Sequence, residues 1–241
     1  MRRARFALVA AVVALALLGC SAEPPAAEAR PITTEEAQLL ATARFRNFDA
    51  GTRTISTTLT DAATPLEITG WVDYRTEVGY AVLDTQGQFY LLAWNASMIA
   101  AQPLTAAEAE AAVAAPPPMP VIGDGFEATT MNANGALHPL LSILISLGND
   151  RPDNPLLLQT GGALWLRTDS IGETAVTVFA GPTESTDAVA TTVDPDASDT
   201  RYWVDADGLL WRFEVRLGAE WVTVDFGDAS EIALTSPFDV P

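Results

Sequence analysis

Few residues in this chain of 241 could carry covalent or metal chemistry. Cys20 is the single thiol, His138 is the single imidazole, and there is no lysine. Any Ser–His–Asp triad would have to be built on His138. That residue precedes Pro139 at the start of an apolar segment, and no Gly-x-Ser-x-Gly elbow accompanies it. His138 therefore reads as a capping or packing side chain. Without lysine there is no P-loop and no Schiff-base chemistry. Carboxylates occur in pairs at Asp194/Asp196, Asp205/Asp207 and Asp225/Asp228. Glycoside hydrolysis needs two such groups facing each other across a cleft, whereas these fall in turn-like sequence and read as solvated turn residues. "DPDASD" (194–199) offers oxygens at a spacing compatible with Ca²⁺ but does not complete an EF-hand loop. Asn95-Ala96-Ser97 matches a glycosylation sequon inside a strand-like run. The expectation is a non-enzyme with no catalytic residue, no metal site and no cofactor.

The position of Cys20 is more informative. Arg2, Arg3 and Arg5 form a basic start, Phe6 to Leu18 is apolar without a break, and Gly19-Cys20-Ser21 follows. That is the pattern of a secretory signal. The apolar run is well short of the ~20 residues that span a bilayer as a helix. Leu17-Leu18-Gly19-Cys20 resembles the bacterial lipobox, with Leu18 a less usual residue at its position. The resemblance implies cleavage ahead of Cys20 and acylation of its thiol with diacylglycerol and palmitate. It places the mature chain on the outer face of the cytoplasmic membrane, in the cell envelope. Two or three acyl chains make such anchoring stable. The expected organisation is a signal peptide (1–19), a lipid-anchored flexible tether (20–32) rich in Pro, Ala and Glu, and one domain (33–241).

With residues 1–19 removed, 10 arginines face 31 acidic residues, a net charge of −21. Phosphate backbones repel such a surface, which argues against nucleic acid partners, and anionic headgroups do the same. No cysteine remains after Cys20, so no disulfide framework is available. Exclusive use of arginine reads as GC-rich coding of the actinobacterial kind.

The elements that would position any site follow from periodicity. Thr33 and Glu36 form a capping box ahead of a helix ending at Gly51, with Ala37, Leu40, Ala41, Phe45 and Phe48 as its apolar residues. Strand-like runs follow at 52–60, 66–74, 77–84 and 88–100, suggesting an antiparallel meander. A second capping box, Thr105/Glu108, opens a short Ala-rich helix that stops at the proline run 116–120. "ALHPLLSILISLGND" (136–150) is a Leu-rich helix with Pro139 in its first turn and Gly148 as its stop. A short helical piece follows "RPDNP". Strands return at 163–169, 174–181, 200–217, 220–227 and 231–234, with Asp205-Ala206-Asp207-Gly208 as a hairpin turn and 182–199 as a long acidic loop. Helix, strands, two helices, then strands indicate an α+β fold with an antiparallel sheet and helices gathered on one face. All six tryptophans fall in strand-like segments and read chiefly as core.

"RYWVDADGLLWRFEVRL" (201–217), within the run 200–227, resembles the "WVD…GL…R" hairpin of the LolA-like and LppX/LprG-like envelope lipoproteins. The order of elements, the Asn154-Pro155-Leu156 turn and "ALWLRTDSIGETAVTVFAG" (163–181) agree with that family in layout. The proline run, the Ala-rich helix and the long acidic loop depart from it. The resemblance implies a curved antiparallel sheet, a half-open β-barrel, with helices packed on its concave face and acyl chains held between. It implies a monomeric protein that binds or carries a lipid or lipidated molecule. Phe45, Leu140, Ile143 and Leu144 are the candidate cavity-lining residues on that reading. The alternative is a structural or interaction lipoprotein, with the same sheet over a filled core, binding a protein or wall polymer through its rim.

Overall fold

The fold starts from a helix whose ends are written in the sequence. In the computed structural model, which describes residues 28–116, 120, 122–123, 125–183, 193–230 and 232–238, α1 runs from Thr34 to Ala50. The Thr33 hydroxyl accepts from the Glu36 amide while the Glu36 carboxylate accepts from the Thr33 amide. At the other end Gly51, at φ 78°, returns its N–H to the Asn47 and Phe48 carbonyls. The remaining helices are α2 (Ala106–Ala114), α3 (Leu137–Ser146) and α4 (Pro155–Thr160). The second capping box is present at Thr105 and Glu108, and Asn154 caps α4 with proline following it. The signal sequence, most of the tether, Pro117–Met119 and positions 184–192 lie outside the described residues.

Twelve strands form one antiparallel sheet. They are β1 (Arg30–Pro31), β2 (Thr52–Asp61), β3 (Thr64–Asp73), β4 (Val78–Thr85), β5 (Gln88–Trp94), β6 (Met98–Leu104) and β7 (Glu127–Thr130), then β8 (Leu164–Ile171), β9 (Thr174–Ala180), β10 (Thr200–Asp205), β11 (Leu210–Leu217) and β12 (Glu220–Ser230). Their spatial order is β1-β8-β9-β10-β11-β12-β2-β3-β4-β5-β6-β7. Two meanders, β2–β7 and β8–β12, are thus fused where β12 pairs with β2. The sheet stays open, with the two shortest strands, β1 and β7, at its edges.

Alternation along the strands sorts side chains between two faces. Ile55, Leu59, Ile68, Val72, Leu92, Trp94, Phe213 and Val224 turn inward, onto the face carrying α1, α3 and α4, and join the buried residues of α1 and α3 in one main core, against which half-buried Leu158 of α4 packs. Trp71, Tyr80, Leu91 and Leu234 pack on the opposite face. The expected fold class is the one observed: α+β, an unclosed antiparallel sheet with helices on one face. α2 is the exception. It lies on the outer face, where Ala109 and Ala112 meet Val82 with Phe89 and Leu104 alongside. The reason is local: the outward residues of β4 and β5 are themselves apolar and need cover, and a face of alanines permits close approach.

Three sequence expectations shift. Residues 88–100 are two strands rather than one, because the Asn95 carboxamide accepts from the Ser97 and Met98 amides and closes a turn. The run 231–234 is not a strand over its described residues, although Leu234 is buried. Ile32 is buried and Arg30–Pro31 pair with β8, so the end of the segment read as tether joins the sheet.

Candidate functional site

The inner face is where the fold concentrates apolar surface, and α3 covers it over β4 and β5. Its sequence, LHPLLSILIS, is almost wholly apolar, and Leu140, Leu141, Leu144 and Ile145 are buried. The Asp61 carboxylate, at the end of β2, accepts from the Ala136 amide at 2.9 Å and fixes where the helix begins. His138 Nδ1 accepts from the Asn132 amide at 3.2 Å, a local capping contact. From the sheet, Trp94 Nε1 donates to the Leu141 carbonyl at 3.1 Å in a buried setting. The Trp94 ring reaches that position because residue 79 is glycine: a Cβ there would sit 2.0 Å from the indole.

Helices α1, α3 and α4 are braced to one another by polar contacts. Arg44 donates to the Ser146 carbonyl (2.8 Å) and to Asp153 (2.9 Å). Asn47 Nδ2 donates to the Leu147 carbonyl, and the Asp153 amide donates to the Ala41 carbonyl. Against the sheet the same layer relies mainly on apolar burial. The polar ties across that gap include Trp94 to Leu141, Arg46 Nε to the Asp207 carbonyl, and Arg53 to Asn47.

The candidate residues separate into two groups. Leu140 and Leu144 are fully buried in the main core. Ile143 is half-buried and packs against that core, and Phe45 is also half-buried. Around the same core lies a ring of half-buried apolar side chains from different elements: Leu39 and Phe48 of α1, Leu137 of α3, Leu158 of α4, and Tyr90 and Trp165 of the sheet. Open clefts are found on the outer face beside α2. One, of about 340 Å³, is lined by Val82, Phe89, Ala106, Ala109 and Val113 together with Glu67, Asp84 and Glu110.

Sequence reasoning did not anticipate a buried polar knot at the junction of β2, α1 and β12. Arg53 is fully buried. Its guanidinium donates to the Gly227 carbonyl (3.0 and 2.6 Å), to the Leu210 carbonyl and to Asn47 Oδ1 (3.1 Å), and it lies over Trp211 and Phe226. Burial pulls its pKa below the ordinary arginine value. The one hint in the sequence is an arginine in a β-branched strand register.

Several of the remaining acidic residues are engaged structurally. Asp205 accepts from the Asp207 and Leu209 amides and from Trp211 Nε1. Asp225 pairs with Arg212 at 2.6 Å, and Asp196 pairs with Arg201 at 2.9 Å. On the outer face of β8–β12, Arg167 and Arg212 lie over Trp203, and Arg201 and Arg216 lie over Trp221. Among the described residues no group of three or more His, Cys, Asp or Glu is placed to hold a metal ion. No helix among them is long and apolar enough to cross a membrane.

The architecture is thus an open twelve-stranded antiparallel sheet with a helical layer over an apolar inner face. No family model and no curated protein matches the chain. Solved structures similar to it include LprF from Mycobacterium bovis, at 10% identity and TM-score 0.42, covering 86% of this chain and 99% of that one. The lipoprotein LppX of Mycobacterium tuberculosis is similar at 14% identity and TM-score 0.41, covering 84% of this chain and 100% of that one. A putative outer membrane lipoprotein-sorting protein domain from Vibrio parahaemolyticus matches at 9% identity and TM-score 0.25, covering 81% and 92% respectively.

Proposed function

We propose that this chain is an envelope lipoprotein, anchored through acylated Cys20, whose domain binds or carries a lipid or lipidated molecule without catalysing a reaction. The observation that supports this best is the inner face itself. A single apolar core underlies α1, α3 and α4, and half-buried apolar side chains from several elements pack against it. Acyl chains entering past Ile143, Leu137 or Leu158 would exchange these partial exposures for full burial, at about 25 cal/mol per Å². α1 is tied to the sheet by the buried Arg53–Asn47 bond, whereas α3 is held mainly by apolar contact with the Trp94–Leu141 and Asp61–Ala136 bonds, so α3 is the element that would lift. Phe45 and Ile143 would line the entrance, and Leu140 and Leu144 the interior reached when α3 lifts.

One observation favours a second reading. Leu140, Leu141 and Leu144 are completely buried, which is what a filled core in a structural or interaction lipoprotein would present. Organic extraction and mass spectrometry of the protein purified from an actinobacterial host separate the two. Stoichiometric acyl lipid, with a thermal transition that rises when the extracted lipid is returned, supports the carrier. A chain that comes out empty and whose transition ignores every lipid offered rejects it in favour of the filled core.

A further inference from the structure

α4 places two leucines where the main core does not reach them. Leu158 packs against that core, but Leu156 and Leu157 are 63% and 65% exposed, more than any other large apolar residue described, with Val193 at 47% and Val113 at 39% next. A six-residue helix has no need of two consecutive outward leucines for its own stability.

Where the chain enters the domain says what lies opposite them. The first strand, Arg30–Pro31, pairs with Leu164 and Trp165 at the start of β8. Arg30 is pinned there by Glu36 at 2.7 Å and by the Trp165 ring at 4.6 Å. The next residue is tied to α4 and the turn after it: the Ile32 carbonyl accepts from Gln159 Nε2, the Ile32 amide donates to the Ala163 carbonyl, and the Ala163 amide donates to the Leu158 carbonyl. Cys20 is ten residues before Arg30, a contour of at most ~35 Å. The entry point, and α4 beside it, are therefore the part of the domain held nearest to anything Cys20 is attached to.

We infer that Leu156 and Leu157 form an interfacial contact that seats this end of the domain on the bilayer surface. The inference rests on the anchored reading for the presence of a membrane. The chemistry is apolar insertion, since a chain of net charge −21 gains nothing from anionic headgroups. Leu158 on the same helix then puts the border of the main core directly beside the lipid phase.

The test uses the full chain, with its own N-terminus, expressed in an envelope-forming bacterial host. Photoreactive benzoylphenylalanine replaces Leu156, Leu157 or, on the opposite face, Val113. After illumination of intact membranes, phospholipid adducts at 156 and 157 and none at 113 are expected. A version of the 157 variant that begins at Ser21 behind an ordinary cleavable secretory signal, and so has no acyl anchor and is released from the membrane, should lose the adduct. Retention in the released chain would mean a carried lipid rather than the bilayer and would overturn the inference. Adducts to a protein or to a second copy of the chain, or no adduct while the chain is membrane-bound, would overturn it too. If the unmodified chain is not recovered with membranes at all, the anchored reading itself fails, and the contact fails with it.

Discussion

Arg53 shows what a single residue contributes when its partners are backbone groups rather than carboxylates. Its guanidinium links β2 to the Leu210 and Gly227 carbonyls and to Asn47 on α1. Arg53→Met would remove the donors and leave those neutral acceptors buried and unpaired, so we expect a loss of about 1–3 kcal/mol for each acceptor that finds no new partner. Arg53→Lys should not rescue it, because an ammonium cannot reproduce the planar fork. Urea unfolding of the three proteins checks both statements. The opposite sign is expected at the β2–β3 turn, where Ala62 and Ala63 both have positive φ, at 47° and 66°. Each L-residue with a Cβ is disfavoured there by roughly 1–2 kcal/mol, and two-residue hairpin turns of this hand favour Asn-Gly. The double substitution Ala62→Asn/Ala63→Gly should raise the thermal midpoint, and an unchanged midpoint would show that the alanines are not strained. Residue-level reading of α1 shows the limit of apolar counting. Phe45 looks like a core residue from its spacing, yet it is half-buried while Asn47 is fully buried. Asn47 is buried because it bonds Arg53 and the Leu147 carbonyl, the latter 100 residues away in sequence, and no local pattern encodes that.

Among the elements, α3 is the one on whose placement the carrier proposal depends, and the Asp61 carboxylate accepts from the amide at its start. Asp61→Ala removes the acceptor for the Ala136 amide, at a cost of about 1.5 kcal/mol for a bond to a charged group. On the carrier reading the same change loosens the end of α3 nearest the border of the core. Bound lipid should then exchange faster in Asp61→Ala, measured as the rate at which a fluorescent acyl probe is chased off. A variant that is destabilised but exchanges lipid at the original rate would place the entrance elsewhere. Helices were legible here because their ends are local: two capping boxes, Asn154-Pro155 and Gly51 all act within one turn. The 205–208 hairpin was legible for the same reason, with Asp205 accepting from the Asp207 and Leu209 amides. Strands β1 and β7 were not, because two- and four-residue strands carry no periodicity and exist only through their neighbours. The site was half-legible. The Leu-rich segment announces an apolar face, but whether that face encloses space depends on how deeply α3 sits in the groove, which Gly79 and Trp94 decide together.

At the scale of the whole molecule, charge and edges set solution behaviour. Residues 20–241 carry −21, against −18 for all 241, so self-repulsion should make the thermal midpoint at pH 7 rise with added salt. Acid acts the other way through specific groups. The Arg30 guanidinium holds Glu36 below the usual carboxylate range, and amide and indole hydrogen bonds from Ser170 and Trp203 do the same for Asp169. A depressed folded pKa contributes stability above the unfolded value, near 4, which is lost as pH falls through the folded one. Stability should therefore decline below about pH 4, and Glu36→Gln should make that decline shallower in pH titrations of the melting temperature. The sheet's open edges pose a separate problem, since an unpaired edge is a template for another chain. Here one edge is the four-residue β7 and the other is Arg30–Pro31, a two-residue strand with a proline, laid over β8. β1 therefore acts as an edge cover as well as the start of the domain. Trimming the mature chain to begin at Thr33 would uncover the N-terminal part of β8 and remove the buried Ile32. We expect the intact mature domain, from Ser21, to sediment as a monomer, and the trimmed one to self-associate with rising concentration and to melt earlier. Substituting Trp165 on the uncovered strand with lysine should restore the monomer without restoring the melting temperature, because charge blocks edge pairing while the apolar contact of Ile32 stays lost. A trimmed chain that remains monomeric at every concentration would show that β8 is protected by its own twist, and that β1 only positions the tether.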